Sequence, residues 1–331
     1  MSARKSILPV FIPHLGCPHA CVYCNQSEIT GQSSEKAAET LLKFCKNADG
    51  KADLAFYGGS FTAIPEQEQT GFLKNAKTAL DSGRISGIRI STRPDAIDSV
   101  ILDRLRRYGV TTIELGAQSM QDHVLQLCAR GHTADDVRKA SKLIREKGFQ
   151  LVLQMMTGLP GDDDAGAIDT ALQLIELRPD AVRIYPTVIV CGTELERMWR
   201  TGIYKEHSVE DAVRVCSQIV PLFTEAKIPI IRLGLNPTEE LSSGAVLGGA
   251  YHPALGELVK SRVLRNQAEL LMEQQGVYGQ DAVIEVSDRM LSQMRGQKQC
   301  NVNWLKERFE LHSLSIVTCS QAGVLRVFKS N

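Results

Sequence analysis

Three cysteines, Cys17, Cys21 and Cys24, stand four and then three apart in the stretch Gly16-Cys17-Pro18-His19-Ala20-Cys21-Val22-Tyr23-Cys24-Asn25. The apolar run over residues 7–12 reads as a strand, so this loop begins where a strand ends. Three thiolates from one short loop suffice for three irons of a four-iron, four-sulfur cluster, whereas a cluster closed for electron transfer takes four. The next cysteine, Cys45, falls on an expected helix. The fourth iron is then open, a place where a small molecule binds and is cleaved.

Three blander readings compete. Positions 17, 21 and 24 share one face of an ideal helix and would then be buried thiols, but Gly16 and Pro18 disfavour that helix at its start. Cys21-x-x-Cys24 alone suits a thioredoxin-like or half-zinc site; that leaves Cys17 without a role, and no second Cys or His pair with zinc spacing follows. Leu15-Gly16-Cys17 faintly matches a lipoprotein cleavage site, yet the apolar run before it is short and broken by Pro9 and Pro13.

The elements that must position the loop alternate along the chain. Helices are expected over residues 35–46, 66–80, 97–108 and 165–176, and strands over 53–57, 87–91, 111–115, 150–156 and 181–189. Thr133 caps a further helix with Asp136 three residues on, Val137, Ala140 and Ile144 line one of its faces, and Gly148 ends it. Six strands alternating with helices imply parallel pairing and right-handed crossovers, either in a doubly wound sheet or in a barrel. Either way ligands collect at the carboxyl ends of the strands, where the cysteine loop, Gly58-Gly59, Ser91 and Gln118 all fall.

The 331 residues predict one large α/β domain plus an appendage. With 38 acidic and 38 basic residues there is no global field to steer a polyanion, so any nucleic-acid contact must be local, and no DNA partner is expected. Nine cysteines, odd in number and scattered apart from the opening trio, fit a reducing compartment, and no apolar run approaches the roughly 18 residues of a membrane span. A cytoplasmic protein without a membrane partner is expected.

Cys-x-x-x-Cys-x-aromatic-Cys, with Tyr23 as the aromatic, resembles the signature of the radical S-adenosylmethionine (SAM) enzymes. Tyr57-Gly58-Gly59-Ser60-Phe61-Thr62, Ser91-Thr92-Arg93-Pro94-Asp95, Glu114-Leu115-Gly116-Ala117-Gln118-Ser119, Arg130-Gly131-His132, Met156-Thr157-Gly158-Leu159-Pro160-Gly161, Ile184-Tyr185-Pro186-Thr187 and Gly192-Thr193-Glu194-Leu195 follow in order. Together they resemble the radical domain of the Elongator catalytic subunit and, more loosely, the oxygen-independent coproporphyrinogen oxidase group, over residues 7–215. The resemblance implies a 4Fe-4S cluster on Cys17, Cys21 and Cys24, with SAM cleaved reductively to a 5′-deoxyadenosyl radical. It implies that Tyr23 and the pair Gly58 and Gly59 approach the cofactor, that Gln118 and Gln154 contact its ribose, and that Arg130 holds its carboxylate. Here Gly-Gly-Ser replaces the more common Gly-Gly-Glu, so Ser60 or Thr62 must stand in for a carboxylate acceptor, and Gln154 stands where relatives often carry an aspartate. Ser91 belongs with this set on the rim. Glu114 reads either as a cofactor contact or as a satisfied core acid, since an inward carboxylate is costly to bury without a partner. Arg93 reads as a partner of Asp95, and His132 as a structural loop histidine.

A partial (β/α)6 barrel of the radical SAM type is therefore expected over residues 1–234, then a loop and long-helix connector over 235–275, and a small C-terminal α+β module over 276–331. The Elongator resemblance fails beyond residue 235, and too few residues remain for that subunit's acetyltransferase domain, so acetyl transfer is not expected. Strand, helix, glycine turn, helix, strand over 283–317 has the core order of a KH-like module. Five basic against two acidic residues between 287 and 309 leave +3. This stretch is either an RNA-binding face, with Arg295 and Lys298 as contacts, or a cap closing the barrel. The function expected is a radical SAM enzyme acting on RNA, by resemblance a transfer RNA, with a ferredoxin or flavodoxin as electron donor. The alternatives are a small-molecule or tetrapyrrole-related radical SAM enzyme, and a noncatalytic cluster- and SAM-binding protein.

Overall fold

The structure is a computed structural model that describes residues 6–12, 17, 19–25, 33–235 and 245–330. Gly16 and Pro18 of the cysteine loop and residues 236–244 of the expected linker lie outside them. The chain runs through β1 (Ser6–Ile12), α1 (Ser34–Asn47), β2 (Ala52–Gly58), α2 (Glu66–Asp81), β3 (Gly87–Thr92), α3 (Ser99–Arg107) and β4 (Val110–Gln118). It continues through α4 (Asp122–Leu127), α5 (Ala134–Glu146), β5 (Gln150–Thr157), α6 (Asp164–Glu176), β6 (Ala181–Pro186), β7 (Val188–Val190) and α7 (Glu194–Arg200). The last elements are α8 (Val209–Glu225), β8 (Ile230–Leu233), β9 (Val246–Gly249), α9 (Leu255–Gln275), β10 (Asp281–Ser287), α10 (Leu291–Arg295), α11 (Cys300–Arg308), β11 (Leu314–Cys319) and β12 (Leu325–Ser330).

Seven strands form one sheet in the order β1-β2-β3-β4-β5-β6-β8, every neighbouring pair parallel. The order never reverses. Right-handed crossovers that always add the next strand on the same side put every helix on one face and curl the sheet, whereas a doubly wound sheet reverses part-way. The fold is the partial barrel of the radical SAM type, with β8 added to the six expected strands.

Alternation along the strands separates two faces. Ile88 and Ile90, Ile113 and Leu115, Leu151 and Leu153, and Val182 and Ile184 are fully buried, each contributing about 1.5–3 kcal/mol. Arg89, Glu114 and Arg183, which lie between these pairs, and Gln154, which follows Leu153, supply the other face. Helix α5 begins with the expected capping box, Thr133 and Asp136 bonding each other's backbone. Helix α3 starts at Ser99 rather than 97, because Asp98 caps it by accepting from Ile101 N at 2.7 Å, after a short 3-10 turn over Pro94–Ala96.

Two expectations need correction. The apolar run 181–189 is two strands in two sheets: Pro186 has no N–H to donate to a ladder, and the chain then leaves the large sheet to pair β7 with β9 in antiparallel fashion. The stretch 236–252, expected to be loop, contains β9. Helices α4, α7 and α8 and strands β8 and β12 were not anticipated.

The chain divides into two compact units, residues 1–208 with 222–251 and residues 209–221 with 252–331. The boundary falls within α8, at Pro221 inside that helix. In the second unit β10 pairs parallel with β11 and antiparallel with β12. Helices α10 and α11 form the crossover of the expected strand-helix-helix-strand order, and Leu264, Met272, Ile284, Met294, Leu305 and Phe309 build its core. Among the described residues no helix is long and apolar enough to cross a membrane.

Candidate active site at the rim of the sheet

The cysteine loop leaves the carboxyl end of β1 beside that of β2. Gly58 has φ +106, and a Cβ there would stand 2.8 Å from the carbonyl oxygen of Ile12, so only glycine lets the two strand ends meet this closely. Backbone bonds fix the loop: Val22 N to Cys128 O at 3.1 Å, Cys24 N to Cys21 O at 3.0 Å and Leu195 N to Val22 O at 2.7 Å. Asn25 Nδ2 donates to Cys191 O at 2.6 Å. Val22 packs with Val124, Cys128 and Leu159, and Tyr23 lies against this cluster. Cys21 is buried, and Cys17 and Cys24 are half-buried.

Arg130, 8% exposed, organises the polar side of the loop. Its Nη1 donates to Cys21 Sγ at 3.3 Å and its Nη2 to Gly116 O at 2.9 Å. Gly116 leaves the space, since a Cβ there would fall 2.7 Å from Arg130 Nη2 and 2.9 Å from Gln118 Nε2. Gln118 follows a register shift at the end of β4 and adopts a left-handed φ of 67°. Gly131, at φ +73, makes room for the ring of His19, so the Arg130-Gly131-His132 motif is shaped to the cysteine loop.

Arg93 lies at the same rim and is 2% exposed. It grips Asp95 with Nε at 2.9 Å and Nη2 at 3.1 Å, and Nη2 also donates to Arg130 O. The pairing expected with Asp95 is present, but Arg93 also braces Arg130. Ser60 and Thr62 are buried, and both hydroxyls bond Thr92 Oγ1, at 2.8 and 2.5 Å. Ser60 Oγ also accepts from Arg93 N, at 3.2 Å, and its backbone N–H serves the Cys17 thiol.

Burial and the neighbouring cations act on the Cys17 thiol in opposite directions, and burial is the larger. Burial pushes the Cys17 thiol up, while the Ser60 N–H, Arg130 and Arg93 pull it back. Burial also raises the Tyr23 hydroxyl. Burial opposes the Arg130 charge, but Tyr23, Cys21 and Cys17 outweigh it and hold the guanidinium charged. Burial drives the Cys128 thiol up to about 12, with Cys21 adding to the rise, so Cys128 packs as a neutral thiol. His132 is lowered to about 4, first by burial and then by Arg130.

Buried polar atoms without partners among the described residues occur singly at Arg104, Ser141 and Arg265 and on the Asp162 carboxylate, but this rim collects several. Among the described residues Tyr23 OH, Arg93 Nη1, Gln118 Oε1, Arg130 Nε and His132 Nδ1 are buried without a hydrogen-bond partner. Each such orphan costs about 1–3 kcal/mol. Donors and acceptors left bare together match a ligand that carries both.

The sequence matches the Radical SAM superfamily over residues 11–174 and the Radical_SAM C-terminal domain over residues 179–265. The chain belongs to the radical SAM superfamily. It is 28% identical over 244 residues to a tRNA uridine(34) acetyltransferase of Methanocaldococcus jannaschii, covering 68% of this chain and 44% of that one. It is 30% identical over 243 residues to the human Elongator complex protein 3, covering 67% and 43%. The chain thus spans less than half the length of these curated relatives. The solved structure of the archaeal Methanocaldococcus infernus Elp3 with an N-terminal deletion shares the fold at TM-score 0.60 and 24% identity, covering 82% of this chain and 63% of that one. Coproporphyrinogen III oxidase of Escherichia coli shares it at TM-score 0.50 and 18% identity, covering 67% and 53%.

Radical SAM proteins use a 4Fe-4S cluster and SAM, and this rim suits both. Each thiolate of such a cluster takes its own iron. The three cysteines therefore need not converge on one point, and among the described residues no three His, Cys, Asp or Glu side chains do. The orphaned donors and acceptor oxygen suit the carboxylate, amino and hydroxyl groups of SAM.

Gly59 is buried just beyond β2, and Ser91 is half-buried on β3, in register with Glu114. Glu114 is 0% exposed and accepts from Tyr57 OH at 2.8 Å, Arg89 Nη1 at 3.0 Å, Arg183 Nε at 2.8 Å and Gln154 Nε2 at 3.4 Å. Arg183 Nη2 also reaches Tyr57 OH at 2.8 Å. Gln154 thus faces Glu114. Arg89, Arg183 and Tyr57 were not anticipated as a site; the available signal was a single charge between buried aliphatic residues in each of β3, β4 and β6. Arg295 and Lys298 are exposed in the second unit.

Proposed function

We propose that this protein is a radical SAM enzyme whose cluster is held by Cys17, Cys21 and Cys24 and whose substrate is an RNA, a transfer RNA in view of the curated relatives named for tRNA uridine(34). The observation that carries the catalytic reading is Arg130, buried, bonded to a cysteine of the trio and surrounded by orphaned polar atoms. When bound, the cluster supplies the electron that cleaves SAM to a 5′-deoxyadenosyl radical.

The chain's own residues do the rest. Arg130 donates to Cys21 Sγ, and the Ser60 N–H with Arg130 and Arg93 offsets part of the rise that burial imposes on the Cys17 thiol. Arg130 Nε and Arg93 Nη1 offer donors to the SAM carboxylate, and Gln118 Oε1 accepts from a ribose hydroxyl. Gly58 keeps β2 close to the loop so that the Gly59 backbone lies within reach, with Tyr23 as its apolar wall. Val22, Val124 and Leu159 exclude water behind the cysteines. An external one-electron donor such as a ferredoxin or flavodoxin, a cytoplasmic setting, and RNA contact through Arg295 and Lys298 complete the proposal.

The test is anaerobic. Reconstituted, dithionite-reduced protein should form 5′-deoxyadenosine from SAM, and Cys17→Ala, Cys21→Ala or Cys24→Ala should reduce it to background. Wild-type protein that holds iron and sulfide yet forms no nucleoside above those variants would sink the catalytic reading. For the RNA reading, Arg295→Glu with Lys298→Glu should abolish tRNA retention on a filter while leaving cluster absorbance intact; equal retention refutes those contacts.

A further inference from the structure

The second unit contains a cavity of about 710 Å³ between the start of α8, helix α9 and the turn from α10 into α11. Two arginines one helical turn apart on α9 line it, and they differ. Arg262 pairs with Glu210 at 2.5 Å. Arg265 lies over Trp304, its guanidinium carbon 4.0 Å from the ring centroid, and among the described residues it has no hydrogen-bond or ion-pair acceptor. Its Nε is fully buried. A guanidinium carries five donors, and an unpaired one in a cleft is expensive.

The neighbouring charges do not relieve it. Burial and Arg262 both disfavour the Arg265 charge. Glu269 and Glu210 oppose that effect, but they are engaged by Arg308 and Arg262. Glu257, also in the wall, is held by Lys260 and Gln293. Stacking on Trp304 occupies one face of the guanidinium and leaves its edge, the side that meets an oxyanion in bidentate fashion.

We propose that this cavity binds a nucleotide through its phosphate, with the phosphate on the edge of Arg265. The volume is nucleotide-scale, far larger than a bare ion needs. Beyond the arginine the walls combine apolar Val213 and Leu258 with the amides of Gln293 and Gln297, the mixture that a nucleobase takes up. Exposed Arg295 and Lys298 flank the Gly296-Gln297 stretch of the wall and favour a phosphate over a carboxylate. The nucleotide is either free or one residue of an RNA strand. The site does not depend on the chemistry of the cysteine loop.

Calorimetric titration of the full-length protein with AMP, inorganic phosphate, malonate and a short single-stranded RNA tests this. AMP or the RNA should bind, and Arg265→Gln should weaken that binding about tenfold or more. Arg265→Lys, which keeps the charge but loses the planar fork, should fall between. Urea unfolding of both variants separates lost binding from lost folding. Binding of AMP and RNA together identifies a free or strand-borne nucleotide, and binding of RNA alone a strand-borne one. The proposal is overturned by no heat from either up to about 10 mM, by unchanged affinity in folded Arg265→Gln, or by malonate binding as tightly as AMP.

Discussion

Two polar regions of the first unit contain buried arginines, and they have opposite characters. In the interior of the sheet Glu114 accepts from Tyr57, Arg89, Arg183 and Gln154, while Arg89 also pairs with Asp53 at 3.3 Å. At the rim, Arg130 touches a thiol and a backbone carbonyl, Arg93 pairs with Asp95 and donates to Arg130 O, and five buried atoms, Arg130 Nε and Arg93 Nη1 among them, have no partner among the described residues. The first region is closed on itself, so its polar groups balance without a ligand. The second balances only when something enters. Buried charge alone therefore does not mark the site; several unsatisfied donors and acceptors gathered around the cysteine loop do.

The largest effect that tests this contrast comes from the rim. Cys17→Ala, Cys21→Ala and Cys24→Ala should each lose the cluster, measured as iron, sulfide and visible absorbance, with little change in urea unfolding of the cluster-free protein. Next is Arg130→Lys, because an ammonium lacks the fork that spans Cys21 and Gly116. It should lower 5′-deoxyadenosine formation about tenfold or more, again with little change in stability. If either substitution unfolded the cluster-free protein as strongly as a core deletion, the rim would be structural scaffolding like the interior.

Much of this was legible in the sequence, for physical reasons that also explain the gaps. The cysteine loop stood out because thiol chemistry fixes residue type and spacing together. Helix α5 was readable because its cap is local: Thr133 and Asp136 bond each other. By contrast, α4 has six residues and β8 and β9 have four each, too few to show a period. The run 181–189 looked like one strand because hydrophobicity does not record the missing N–H of Pro186. Glu114 could not be decided from sequence, since its partners Tyr57, Arg89 and Arg183 come from three other strands. Nor could the orphaned atoms be read, because an absent partner is a property of three dimensions.

The interior yields the next effect. Glu114→Ala strips Arg183 of its carboxylate partner and leaves Arg89 with Asp53 alone, and it should destabilise the protein by about 3–5 kcal/mol in urea unfolding. The folded fraction should still bind the cluster. Arg183→Met leaves Glu114 paired with Arg89 and should cost less, about 1–3 kcal/mol. A Glu114 variant of unchanged stability that lost SAM cleavage would move this residue from the interior to the site.

His132 sharpens the comparison with the smallest effect. Its Nε2 lies 3.2 Å from Ala117 O and so donates as a neutral imidazole, leaving Nδ1 bare. Its value of about 4 in the fold lies below the ordinary 6.5. Between these values the unfolded chain binds a proton that the folded one does not, so stability rises with pH. The contribution is complete above pH 6.5 and disappears as pH falls toward 4, about 3 kcal/mol in all. Urea midpoints of the cluster-free protein at pH 7.5, 6 and 5 should therefore fall more steeply in wild type than in His132→Asn, which keeps a donor for Ala117 but does not titrate. Parallel slopes would mean that His132 is charged in the fold, and its bare Nδ1 would then be a donor seeking an anion rather than an acceptor.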